Sequence, residues 1–219
     1  ATEVMNILIA PYSRMKKIKS STRSWLAIFI VLLLVADQVV KFIVKLNMTE
    51  NETIPVFGNW FLIHFIENPG AAFGMQLGGD YGKLFLSLFR IAAITLIVWY
   101  LNKLVKRNAP KGVLVGGALI LAGAMGNMID CAFYGVIFSE STPWEVATLF
   151  PEGGGYAPFL YGKVVDMLSF PIIDTTWPEW MPWVGGNRFV FFSPIFNVAD
   201  SYITIAVFYL LLFKRKYFA

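Results

Sequence analysis

The chain has 219 residues, 57% hydrophobic and only 15% charged, with a net charge of +4. A mean hydropathy of +0.63 excludes an ordinary soluble domain of this length and places the chain among integral membrane proteins. A single cysteine, Cys131, excludes an intrachain disulfide, and a single histidine, His64, argues against a histidine-based metal site. No metal or cofactor is expected, and nothing points to nucleic acid.

Residues 1–14 carry no clear signal and read as an appended leader, with Met15, Lys16 and Lys17 as a natural start, so the domain is taken as residues 15–219. The first apolar run covers about 24–46. That is long enough to cross the ~30 Å hydrocarbon core and too long for a signal-peptide core. Further runs follow at about 82–104, 112–133 and 196–213. The expectation is an all-α membrane protein with four transmembrane helices. The connections at about 47–81 and 134–195 are long. In the first, the aromatic-rich Trp60 to Ile66 predicts a short strand, hence a small external β-containing subdomain. The second is rich in Gly, Pro and Trp. Trp144, Trp177, Trp180 and Trp183 suit either an interfacial shelf or the packing of a small outer subdomain.

Basic residues set the orientation. Arg14, Lys16, Lys17, Lys19 and Arg23 precede the first run; Lys103, Lys106, Arg107 and Lys111 separate the second and third; Lys214, Arg215 and Lys216 follow the fourth. The other two connections are mainly acidic. The positive-inside rule therefore puts both termini and the middle loop in the cytoplasm and the two long connections outside.

Polar groups inside this frame are the functional candidates. Asn127 and Asp130 fall near the outer end of the third helix, Asn197 and Asp200 near the outer end of the fourth, so both sets reach one depth. Asp200 also suits a first-turn acid, stabilised by the helix dipole. Asp37 and Lys41 are one turn apart and read as a structural ion pair, with Lys41 snorkelling outward. Arg90 lies about two turns into the second helix and either snorkels or faces the polar cluster. Asp166 comes from the outer connection. Two carboxylates sharing a site keep one proton between them, which suits general acid–base hydrolysis by water without a metal. Spacing leaves open whether Asp130 or Asp166 partners Asp200. Other chemistries fit poorly. There is no HExxH motif, and nothing in the sequence positions Ser169 and Lys163 as a Ser/Lys pair. A proton- or ion-coupled transporter is the main rival, since intramembrane carboxylates also form proton relays, but no inverted repeat supports it. A purely structural scaffold is the other.

Five short boxes in order carry a resemblance. They are Asp37-Gln38 with Lys41; Asn68-Pro69-Gly70-Ala71-Ala72-Phe73-Gly74; Gly126-Asn127 with Asp130; Val164-Val165-Asp166; and Phe196-Asn197 with Ala199-Asp200. The chain resembles the lipoprotein signal peptidases (signal peptidase II). The resemblance implies a bacterial inner-membrane aspartyl endopeptidase that removes the signal peptide from diacylglyceryl-modified prolipoproteins just before the lipidated cysteine. It implies Asp166 and Asp200 as the catalytic pair. Asn68, Gly70, Asn127, Asp130 and Asn197 then become substrate-binding or dyad-supporting groups. It further implies a monomer embedded in membrane lipids and inhibited by globomycin-type cyclic peptides. Two departures stand out. Cys131 occupies the place where the family usually has Arg, and Arg90 is expected to supply the missing charge. The segments between Asp130 and Asp166 and between Met167 and Phe196 are longer than usual and are expected to form an enlarged outer lid.

Overall fold

The structure, a computed structural model, describes residues 2–70, 79–191 and 193–218. The first helix, α1, spans Thr2–Asn47, and its apolar part, Ser21–Asn47, is long enough to cross a membrane. The chain then makes β1 (Thr53–Phe57) and β2 (Phe61–Asn68) before α2 (Gly79–Lys106). Of the Asn-Pro-Gly-Ala-Ala box, Ala71, Ala72, Phe73 and Gly74 lie outside the described residues. Helix α3 covers Lys111–Ile129 and continues through a π-helical turn, Asp130–Tyr134, into the short α4, Gly135–Ile137. The outer connection contributes β3 (Val164–Ser169), β4 (Ile173–Thr176), β5 (Arg188–Phe191) and β6 (Ile195–Phe196). Helix α5 (Val198–Phe213) and a short α6 (Arg215–Phe218) follow.

Among the described residues, three helices are long and apolar enough to span: Ser21–Asn47, Tyr81–Lys106 and Lys111–Ile137. The fourth apolar helix, α5, has 16 residues and is shorter than the other three. The sequence expectation began it at Phe196, but Phe196 belongs to β6 and Asn197 turns the chain into the helix. The other spans extend a few residues beyond their expected limits, and the helix of the first begins at Thr2 rather than near residue 24.

Helix α3 is the hub and packs against α1, α2 and α5. Its small residues make this close approach feasible. A Cβ at Gly116 would stand 2.7 Å from Leu210, and one at Gly126 would stand 2.6 Å from the Asp37 carboxylate. Leu104, Val105, Val113, Leu114 and Ala118 bury one end of the bundle. Away from these contacts, Leu32, Val35 and Val39 of α1, Phe85 and Phe89 of α2, and Ile205 and Phe208 of α5 are exposed, as lipid-facing side chains should be.

The sheet is antiparallel, in the order β1-β2-β3-β6, while β4 and β5 form a separate hairpin. The strand expected at Trp60 to Ile66 is β2, shifted to Phe61–Asn68. Its other neighbour, β3, comes from far along the chain, with Leu62 opposite Ser169 and Asn68 opposite Val164. The sheet is anchored to the helices by Val44, Phe65, Tyr134, Phe138, Val165 and Met167. The π turn widens α3 and shifts its backbone bonding. Carbonyls of the π turn and of the helix end beyond it are met by the returning chain: Gly162 N–H donates to Cys131 (2.8 Å), Ala157 to Gly135 (2.9 Å) and Tyr156 to Phe138 (3.0 Å). The four loop tryptophans divide. Trp144, Trp180 and Trp183 are exposed, whereas Trp177 rests on Phe189 with ring centres 4.6 Å apart.

Candidate active site

The site begins with the cap of α5. Asn197 is extended, and its Oδ1 accepts from the Asp200 backbone N–H at 2.9 Å. The Asp200 carboxylate in turn accepts from the Asn197 backbone N–H at 3.3 Å. This reciprocal capping box fixes Asp200 in the first turn, beside the positive end of the helix. The first-turn reading of Asp200 therefore describes its geometry.

The same asparagine reaches β3. Its Nδ2 donates to Asp166 Oδ1 at 2.7 Å and to Asn127 Oδ1 at 2.9 Å. Asn127 Nδ2 donates to Asp200 Oδ1 at 2.8 Å, and Asn127 Oδ1 also accepts from Lys41 Nζ at 2.9 Å. Lys41 can only donate, so the Asn127 amide has one allowed orientation, which in turn fixes that of Asn197. Asn68 Nδ2 donates to the second oxygen of Asp166 at 3.1 Å, while its own Oδ1 accepts from Gly70 N–H at 2.9 Å. Gly70 has φ +96°, a conformation that suits glycine. Asp166 and Asp200 are thus tied together through Asn197 and Asn127. The Asp166 carboxyl is pushed up to about 7, first by burial and then by the negative charge of Asp200. Hydrogen bonds from Asn68 and Asn197 and the charge of Lys41 oppose that rise.

A second layer lies behind. Lys41 is fully buried and does not snorkel. Its ammonium lies 3.1 Å from Asp37 and 2.7 Å from Asp130. Two carboxylates and an amide, from α1 and from α3 with its π turn, hold it in the interior. Asp130 also accepts from Gln38 at 3.0 Å and from Val165 N–H at 3.2 Å, which places it behind β3 rather than beside Asp200. Asp37 accepts from Ala199 N–H at 2.9 Å and so anchors the start of α5 to α1. Arg90 faces inward, its Nη1 donating to Cys131 Sγ at 2.7 Å. A Cβ at Gly70 would stand 3.7 Å and 3.8 Å from its two terminal nitrogens.

Ser169 and Lys163 are not a pair. Ser169 Oγ lies 3.2 Å from Ser193, and Lys163 is bound to Glu67 at 3.3 Å and Glu140 at 3.1 Å. The sequence reading missed Tyr134, whose hydroxyl donates to Gln38 at 3.0 Å, and Lys45, which is buried against Glu67. Lys45 was within reach of inspection, since Asp37, Lys41 and Lys45 form one i, i+4, i+8 stripe on α1.

Residues 29–215 match the family model described as signal peptidase (SPase) II. The lipoprotein signal peptidase of Porphyromonas gingivalis is 52% identical over 186 residues, covering 84% of this chain and 80% of that protein. That of Amoebophilus asiaticus is 40% identical over 187 residues, covering 84% of this chain and 75% of that protein. Two solved structures of bacterial membrane enzymes share the fold. One has a TM-score of 0.57 at 22% identity and covers 88% of each chain. The other has a TM-score of 0.54 at 24% identity and covers 86% of this chain and 91% of that one. The chain belongs to the signal peptidase II family and is a membrane protease.

Proposed function

We propose that this protein cleaves the signal peptide from diacylglyceryl-modified prolipoproteins on the N-terminal side of the lipidated cysteine, with Asp166 and Asp200 as its catalytic pair. The observation that carries this reading is the Asn197 side chain, which caps Asp200 and donates to Asp166 at once. Asp166, raised to about 7, is the acid that keeps the shared proton near neutrality. It polarises the scissile carbonyl, while the Asp200 carboxylate takes a proton from the attacking water. The water oxygen bonds to the carbonyl carbon. The resulting tetrahedral centre collapses as the leaving nitrogen gains a proton and the C–N bond breaks. No covalent enzyme intermediate and no cofactor are needed. Asn68, Asn127 and Asn197 hold the two carboxyls, Gly70 lets the chain turn beside Asn68, and Asp130 supports β3 from behind. Arg90 supplies a guanidinium at the place where Cys131 stands instead of the family's usual Arg, for an acceptor on the substrate.

The basic residues between and beyond the spans support a bacterial cytoplasmic-membrane protein with both termini inside and the sheet outside. A monomer, sensitive to globomycin-type cyclic peptides, completes the reading. The test is cleavage of a lipidated prolipoprotein peptide by purified protein. Asp166→Asn and Asp200→Asn are each expected to lower kcat by roughly 10²–10⁴-fold with the fold intact. Full turnover by either variant would refute the pair.

A further inference from the structure

A buried ionic cluster sits on the face of the sheet opposite Asp166. Lys45, in the last turn of α1, is fully buried. Its ammonium is paired with the Glu67 carboxylate and lies 2.9 Å from Ser141 Oγ. The rings of Phe138 and Tyr156 flank it, with centres 5.3 Å and 5.1 Å away. Ser141 Oγ donates to Glu67 at 3.3 Å. Lys163 closes the cluster from the other side, 3.3 Å from Glu67 and 3.1 Å from Glu140, and its backbone N–H donates to the Tyr156 hydroxyl at 2.7 Å. The end of α1, β2, the chain just after α4, and the residue leading into β3 therefore meet at one carboxylate.

Strand alternation connects this cluster to the acids. Glu67 pairs with Val165, and Asn68 pairs with Val164. Neighbouring residues of a strand face opposite ways. Glu67 turns to the buried cluster, and Asn68 turns to the Asp166 face, where its amide donates at 3.1 Å. A slip of β2 against β3 would move Glu67 and Asn68 together and invert both faces. The pairing already contains an irregularity between Ile63 and Ile66, so the ladder alone leaves room for such a shift near the site.

We propose that Lys45, Glu67, Ser141 and Lys163 are positioning residues that lock the β2–β3 register from behind, and so hold the Asn68 amide on the Asp166 carboxyl. The lock also ties the extension from Ser139 to Gly162 to the reaction centre, although no residue of that extension need touch substrate. This inference rests on the proposed role of Asp166.

The test replaces both charges of the central pair, as Lys45→Met with Glu67→Met, which avoids leaving one charge buried alone. With lipidated prolipoprotein peptide, kcat should fall about tenfold or more and KM should change little, since the binding surfaces remain. The pH profile supplies the readout that a merely structural role would not move. The groups facing Asp166 are Asp200 from α5, Lys41 from α1, and the amides of Asn68 and Asn197, and the Asn68 bond holds the carboxyl down. Loosening that bond should move the alkaline limb upward by about half a pH unit. Ser141→Ala keeps both charges and should shift the limb the same way by less. If the double variant proves unfolded, this second variant decides. Unchanged kcat and an unmoved limb in the variants, while cleavage by the wild type depends on Asp166, would overturn the inference alone. Loss of that dependence would instead overturn the proposed catalytic pair.

Discussion

Among the carboxyls outside the spans, Asp166 is pushed up into the neutral range. A carboxyl raised to about 7 when folded, from about 3.9 in an unfolded chain, binds its proton more tightly in the folded protein. Its contribution to stability is therefore complete below about pH 4 and is lost as pH rises through about 7. Relative to the wild type, Asp166→Asn should gain thermal stability between pH 5 and pH 8, by up to a few kcal/mol. The proposed mechanism requires the same proton for turnover, so kcat/KM should show an alkaline limb near pH 7. A plateau extending to about pH 9 would exclude Asp166 as the acid. Arg90 offers a second test at this scale. Its guanidinium lies against Cys131 and beside Gly70, the residue that donates to Asn68. Arg90→Gln should lower kcat/KM for the lipidated peptide by about tenfold, with Arg90→Lys in between, while melting temperature is little changed. Equal turnover by wild type and Arg90→Gln would remove Arg90 from the site.

Helix α3 determines how closely the elements that carry these residues can meet. It brings Asn127 to Asp200 because Gly123 lets α5 lie against it; a Cβ there would meet the Ala199 carbonyl and stand 2.6 Å from Ile203. Gly123→Val should force α3 and α5 apart, at a cost of about 1–3 kcal/mol. Cleavage should fall more than tenfold as the Asn127–Asp200 bond lengthens. Gly153→Ala, where nothing lies within 4 Å, is the control and should leave both stability and activity unchanged. The helices themselves were legible from hydropathy because a bilayer demands long apolar runs. The cap of α5 was half legible. The acid in the first turn could be read, but the switch from strand to helix at Asn197 could not, because β6 exists only through its pairing with β3.

For the molecule as a whole, the five boxes gave the polar inventory, and the structure supplied its layering. Asp166 looked like a loop residue because its strand partner, Ile66, lies far away in the chain and leaves no local pattern. Lys41 looked like an outward-reaching side chain because its partners Asp130 and Asn127 come from another helix. Part of the extension expected to stand over the site as a lid runs back along the π turn, through residues 156–162. The hub position of α3 has a consequence for biosynthesis. Its glycine face is complementary to α5, and α5 is the last of these apolar helices to leave the ribosome. Until that helix packs against α3, Asp166 has no Asn197 beside it and Asp200 lacks its bond to Asn127. The newborn chain therefore keeps its two acids apart until α5 docks on α3, and under the proposed catalytic pair it becomes competent only then.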